Sequence, residues 1–230
     1  MPAEIIEDST LRDREAVFAD REEAGERLAK LLADYRGTDA IVLAIPSGGV
    51  PVGLVVAERL GLPFDMLIIR KIPIPGNTEA GFGALTLEDD LLLNEPLVAD
   101  LGLSPTEIER LAGPVRAELR QRNRLFRGGR PMPDLAGRSV LLVDDGLASG
   151  MTMLAGVRLV RRRQPAETVI AVPTAALRTV ERLAPEVDRI VCPNIRTIRV
   201  FAVASAYRNW SDLSRGEVME LLRLHGFPFS

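Results

Sequence analysis

One segment constrains the fold of this chain more than any other: VLLVDDGLASGMT, Val140 to Thr152. An apolar run of strand length, Ser139 to Val143, stops at two adjacent aspartates and gives way to a small-residue turn that opens a helix. Continuous apolar runs of this kind are strands buried on both faces, as in the parallel sheets of α/β proteins. The turn then lies at the carboxyl end of the strand, the edge of an open sheet where ligands bind. There the N–H groups of Ala148, Ser149, Gly150, Met151 and Thr152 would meet the positive end of the helix dipole, which suits an anion. Ser149 and Thr152 add hydroxyl donors, and Gly146 and Gly150 let the backbone come close. Asp144 and Asp145 cannot bind phosphate; they suit the neutral hydroxyls of an attached sugar, or a magnesium ion nearby. The expected ligand is a sugar phosphate. A bare turn with two solvated aspartates would need neither the hydroxyls nor both glycines.

The rest of the chain repeats the strand-then-helix alternation. Asp20 and Glu23 have capping-box spacing at the head of a helical stripe, Ala24, Leu28, Leu31 and Leu32. Ala40 to Ile45 reads as a buried strand, and Pro51 to Leu60 as a helix closed by Gly61. Met66 to Ile69 and Ala80 to Leu87 are further strands. Ser104-Pro105-Thr106-Glu107 starts a helix that Gly113-Pro114 should kink or interrupt. After the central strand come a helix from about Gly150 to Arg163, a strand Thr168 to Val172, a helix Leu177 to Leu183 and a strand Arg189 to Cys192. Val200 to Val203 reads as a last short strand, and Ser214 with Glu217 caps a helix through Leu224. The pattern predicts an α/β fold, a mainly parallel central sheet with helices on both faces. With 230 residues, one domain over 1–230 is expected, carrying a small edge elaboration and a helical insertion at about 104–130.

Composition narrows the function. A net charge of −3 argues against a nucleic-acid binder. The lone cysteine, Cys192, cannot form an internal disulfide, and no Cys/His spacing suits a metal site. No apolar run approaches the roughly 20 residues that span a bilayer. The amino terminus is acidic, unlike a secretory signal, so a cytoplasmic location is expected. Arginine supplies all the basic residues but Lys30 and Lys71. Seven arginines between 110 and 130, among glutamates, read as a solvated helix face or subunit contact before an electropositive flank.

Two further segments complete a candidate site. IPSGGVPVG, Ile45 to Gly53, is another glycine turn between strand and helix, and a parallel sheet puts it on the same edge as the acidic loop. IIRKIPIPGNTEAGFGA places Arg70 and Lys71 at a strand end before a Pro/Gly-rich stretch containing Glu79. Two cations there could neutralise a polyanion, lysine as a mobile point charge.

The acidic loop resembles the phosphoribosyl-diphosphate (PRPP) loop of type I phosphoribosyltransferases, with Ser149 where threonine is usual. The likeness runs from about Phe18 to Leu222, through FADREEAG, PGNTEAGFGA, RNRLFRGGRP and the YRNW–EVMELL ending, toward bacterial and archaeal phosphoribosyltransferase-domain proteins of undefined acceptor. It implies transfer of a 5-phosphoribosyl group from PRPP to an unidentified acceptor, with magnesium bound mainly through PRPP and diphosphate released. Ala148, Ser149, Gly150, Met151 and Thr152 would hold the 5-phosphate, and Asp144 and Asp145 the ribose. Ser47, Gly48 and Gly49 match the diphosphate loop, but Ser47 stands where many relatives carry arginine or lysine. Lys71, with Arg70, is the candidate replacement. Ile72 to Gly83 resembles the flexible loop that closes over substrate, with Glu79 a contact for substrate or metal. Tyr207, Trp210 and Phe201 fall where this family builds its acceptor hood. A homodimer is implied by likeness alone. A PRPP- or nucleotide-sensing regulator without turnover is the other reading. A phosphate-receiver domain is discounted because no lysine follows the acidic pair, and a P-loop kinase because no GxxxxGK occurs.

Overall fold

Short apolar runs that cannot satisfy their backbone groups alone must pair, and here six of them pair in parallel. The computed structural model describes residues 3–198 and 200–227, without the side chains of 78–80. In chain order its elements are β1 (Glu4–Ile6), α1 (Arg21–Leu31), β2 (Ile41–Ala44), α2 (Gly49–Leu60), β3 (Phe64–Met66), β4 (Ile69–Ile74), β5 (Asn77–Thr86), β6 (Leu91–Leu93), α3 (Glu95–Asp100), α4 (Pro105–Arg127), β7 (Ser139–Val143), α5 (Met151–Arg161), β8 (Glu167–Ala171), β9 (Thr174–Ala176), α6 (Leu177–Leu183), β10 (Arg189–Val191), β11 (Asn194–Arg196) and α7 (Arg215–Leu224).

The central sheet has the order β1-β10-β8-β7-β2-β3, every neighbouring pair parallel. From β2 the chain winds outward to β3, whereas from β7 it winds the other way to β8 and β10. The crevice between β2 and β7 is therefore a topological switch point, where an open parallel sheet binds its ligand. Alternation along β7 sets the two cores. Val140 and Leu142 pack on α5 through Met153, Val157 and Val160. Leu141 and Val143 pack on the other face with Val52, Val56 and Leu60 of α2 and Leu28 of α1. Burying such side chains contributes about 1.5–3 kcal/mol each before chain entropy is subtracted.

β4, β5 and β6 form a separate antiparallel sheet over a third core shared with α4 and α7. The run expected as one strand, Met66 to Ile69, is therefore divided. Met66 closes β3 in the parallel sheet, and Ile69 opens β4 in the antiparallel one. Its residues serve two cores, Leu67 and Ile69 in the first and Met66 and Ile68 in the third. The stretch Ile72 to Gly83, likened to a flexible loop that closes over substrate, is mostly a β-hairpin, with Lys71 opposite Ala84 and Ile72 opposite Gly83.

α4 runs unbroken through Gly113-Pro114, contrary to expectation. Both residues lie on its exposed face, so the carbonyl of Arg110 freed by the missing N–H can turn to water. Ser104 and Glu107 form the full capping box at its start. Three of its six arginines form ion pairs: Arg116 with Asp89 and Glu109, Arg122 with Glu118, and buried Arg127 in a two-bond fork on Asp65 of β3, at 2.8 and 2.9 Å. Val200 to Val203 is not a strand. Val200 is 85% exposed, while residues 203–206 form a 3-10 turn that packs Val203 and Ala206 against Phe18 and Tyr207.

Candidate active site

The site is built where β2 and β7 end. Val143 hands the chain to Asp144 and Asp145, and the neighbouring Ile45 hands it to the turn Pro46–Gly49, whose Pro46–Ser47 peptide bond is cis. The two loops touch. A Cβ on Gly49 would lie 2.6 Å from the Val143 carbonyl oxygen and 2.9 Å from the Asp144 Cα, and one on Gly48 would fall on the Asp145 carboxylate. Glycine is required at both positions by that approach. Both carboxylates thus face the second loop across the crevice.

The phosphate-type loop has its carbonyls tied back and its amides open. The Ala148 carbonyl accepts from the Thr179 hydroxyl at 2.5 Å, and the Ser149 carbonyl accepts from the Arg182 guanidinium, both donors on α6. Among the described residues, the amides of Ala148 to Thr152 donate to nothing. Gly150 caps α5 with φ +65°, a left-handed conformation that leaves the helix without a side-chain cap. A Cβ at Gly150 would also meet Thr179 at 2.6 Å. α2 likewise begins without a side-chain cap. Two uncapped helix ends therefore flank one crevice, an arrangement that favours an anion. In the second loop the Gly49 amide is already bonded to the Ile45 carbonyl at 3.1 Å, so of the three amides expected there, those of Ser47 and Gly48 are the open ones.

Arg21 is the site residue that sequence reasoning missed. It is the first residue of α1, whose N-cap Asp20 accepts from the Glu22 and Glu23 amides, while Glu23 takes the Ala19 amide instead of completing the box on Asp20. Its Nε donates to Asp145 Oδ2 at 2.9 Å, its Nη1 to the Ser211 carbonyl at 3.0 Å, and its guanidinium lies 3.9 Å from the Trp210 ring centre. The signal was the FADREEAG segment, which carried the family likeness without marking this arginine. Burial, and then the negative Asp145, hold the Asp144 carboxyl well above the usual carboxylate range. Burial also raises Asp145, with Arg21 pulling the other way. The Asp145 amide donates to Asp144 Oδ1 at 2.9 Å.

The hood candidates divide. Tyr207 is buried, and its hydroxyl donates to the Asp145 backbone carbonyl at 2.6 Å, so it braces the acidic loop and has no face free for an acceptor. Trp210 is half-buried, packed on Tyr207 with ring centres 5.1 Å apart. Beside it an open groove of about 630 Å³ is lined by Arg21, Pro51, Asn209, Trp210 and Ser211 among others. Of the remaining candidates, Arg70 pairs with Glu118 of α4 at 3.2 Å and is not brought to the crevice. Lys71 sits on β4 of the hairpin sheet. The Glu79 side chain lies outside the described residues. No cluster of three or more His, Cys, Asp or Glu side chains suited to a metal occurs among the described residues.

Comparison with known proteins agrees with this geometry. A family profile described as "Phosphoribosyl transferase domain" matches residues 15–208. Two curated proteins of Mycobacterium tuberculosis, strains CDC 1551 and H37Rv, each bearing the name "Putative phosphoribosyl transferase", are 36% identical over 206 residues. The match takes in 90% of this chain and 46% of theirs, so the chain spans about half the length of these curated relatives. The crystal structure of TT1426 from Thermus thermophilus superposes with a TM-score of 0.72 at 35% identity, covering 89% of this chain and 97% of that one. The loops that meet at the β2–β7 crevice, the parallel sheet that brings them there and these similarities agree: the chain belongs to the phosphoribosyl transferase domain family.

Proposed function

We propose that the chain binds PRPP in the β2–β7 crevice and transfers its 5-phosphoribosyl group to an acceptor, releasing diphosphate. The observation that carries this reading is the loop 148–152, whose amides are open while the Ala148 and Ser149 carbonyls are tied to α6, next to two carboxylates facing the open Ser47 and Gly48 amides. The 5-phosphate takes those amides and the Ser149 and Thr152 hydroxyls. Anchoring this remote group turns binding energy into positioning at C1. Asp144 and Asp145 accept from the ribose hydroxyls and lie near the positive charge that grows on the ring as the C1–O bond breaks. The electron pair of that bond leaves with the diphosphate, toward the Ser47 and Gly48 amides and Lys71, while the acceptor nucleophile bonds to C1.

Magnesium fits here only as a companion of PRPP. Two carboxylates, one already paired with Arg21, are too few for a resident metal site. Asp144 is the residue that would reach it, and bound with PRPP it supplies charge neutralisation of the leaving group.

Double replacement Asp144→Asn with Asp145→Asn tests the reading. Calorimetry should show loss of magnesium-dependent PRPP binding with the fold retained, and unchanged affinity refutes the assignment. A diphosphate-release screen over bases and amines then separates an enzyme from a sensor, which would bind PRPP and release nothing.

A further inference from the structure

We propose that Arg21 receives the diphosphate end of PRPP, supplying the positive charge that Ser47 does not carry; this rests on the PRPP reading above. Position is the first argument. Arg21 Nε lies 2.9 Å from Asp145 Oδ2, and a Cβ on Gly48 would fall on that same carboxylate. One carboxylate thus separates the guanidinium from the open amides of Ser47 and Gly48, so all three belong to one end of the crevice. The second argument is the unspent donor. Nε and Nη1 of Arg21 are committed to Asp145 and Ser211, while Nη2 donates to nothing among the described residues, although the side chain is only 10% exposed. A guanidinium held rigidly with Nη2 unspent can give a phosphate oxygen one charge-assisted hydrogen bond without first moving. The third argument is preorganisation. Trp210 supports the flat face at 3.9 Å and the Ser211 carbonyl holds one end, so little side-chain entropy remains to be lost on binding. Arg70, the other arginine considered for this task, is held by Glu118.

Trp210 is the sole tryptophan, so its emission reports directly on the guanidinium stacked against it. The test uses the full chain as wild type, Arg21→Met and Arg21→Lys. Each is titrated with magnesium PRPP, magnesium diphosphate and ribose 5-phosphate, followed by calorimetry and tryptophan emission. In Arg21→Met, affinity for PRPP and diphosphate should fall roughly tenfold to a hundredfold, the range for a hydrogen bond to a charged group. Affinity for ribose 5-phosphate should stay within about twofold, and Arg21→Lys should recover part of the loss. Wild-type emission should shift with diphosphate and not with ribose 5-phosphate. Equal loss of all three ligands would mean that Arg21 only holds Asp145 in place, and overturns the proposal, as does unchanged PRPP affinity. Wild-type protein that binds neither PRPP nor ribose 5-phosphate overturns the underlying PRPP reading instead. If Arg21→Met fails to fold, Arg21→Lys and the wild-type emission decide the matter: Lys with full diphosphate affinity and no emission response refutes it.

Discussion

Replacing Asp144 by asparagine should make the ligand-free chain more stable at neutral pH while removing its grip on ribose. With both carboxyls ionised, the buried trio Asp144, Asp145 and Arg21 carries one net negative charge, and the variant reduces it to a neutral Asp145–Arg21 pair. Asparagine keeps the shape and can keep its Oδ1 as acceptor for the Asp145 amide, so the change is mainly one of charge. The Asp144 carboxyl titrates well above its ordinary range because it is buried and has a negative neighbour. Relieving a buried charge that lacks a full partner is worth about 1.5–3 kcal/mol. For a chain of this size that is a rise of roughly 3–12 °C in Tm. The sign follows from linkage. A carboxyl raised in the folded state binds its proton more tightly there than in the unfolded chain. Its stabilising effect is complete below the unfolded value and lost as pH rises through the folded one. The variant should therefore gain most at pH 7–8 and nothing once pH has fallen below the ordinary carboxylate range, where wild-type Asp144 is neutral too. Thermal unfolding of both proteins from pH 4 to 8, with PRPP calorimetry at pH 7.5, measures this. A Tm that is unchanged or lower at pH 7.5, or a gain independent of pH, would refute the argument.

Two other substitutions probe the construction of the site. Gly49→Ala places a methyl 2.6 Å from the Val143 carbonyl oxygen and 2.9 Å from the Asp144 Cα, backbone that cannot yield cheaply. It should cost about 1–3 kcal/mol in denaturant unfolding and weaken PRPP binding by forcing the two loops apart. Tyr207→Phe removes the hydroxyl that donates to the Asp145 carbonyl and leaves that acceptor unpaired. It should lower stability by about 1–3 kcal/mol and reduce PRPP affinity more than affinity for diphosphate alone, because the acidic loop loses its brace and the second loop does not.

Local chemistry alone determined much of this protein. β7 and α6 have the boundaries read from their apolar periods, and α7 those read from Ser214 and Glu217, because strand alternation, helical stripes and caps are properties of neighbours in the chain. The acidic loop and its open amides were legible for the same reason: a strand, a turn and a helix N-terminus lie in consecutive residues. Tertiary structure decided the rest. Arg21 and Asp145 are 124 positions apart, and no local rule pairs them; only the packing of α1 beside the switch point does. Short strands such as β1, β9 and β11, three residues each, carry too little period to be seen and exist because a parallel neighbour completes their hydrogen bonds. The division of Met66 to Ile69 between two sheets, the tolerance of Pro114 on a solvent face and the commitment of Arg70 to Glu118 share that origin. Periodicity sets what an element can bury, while its partners are set by which surfaces meet when the chain closes on itself.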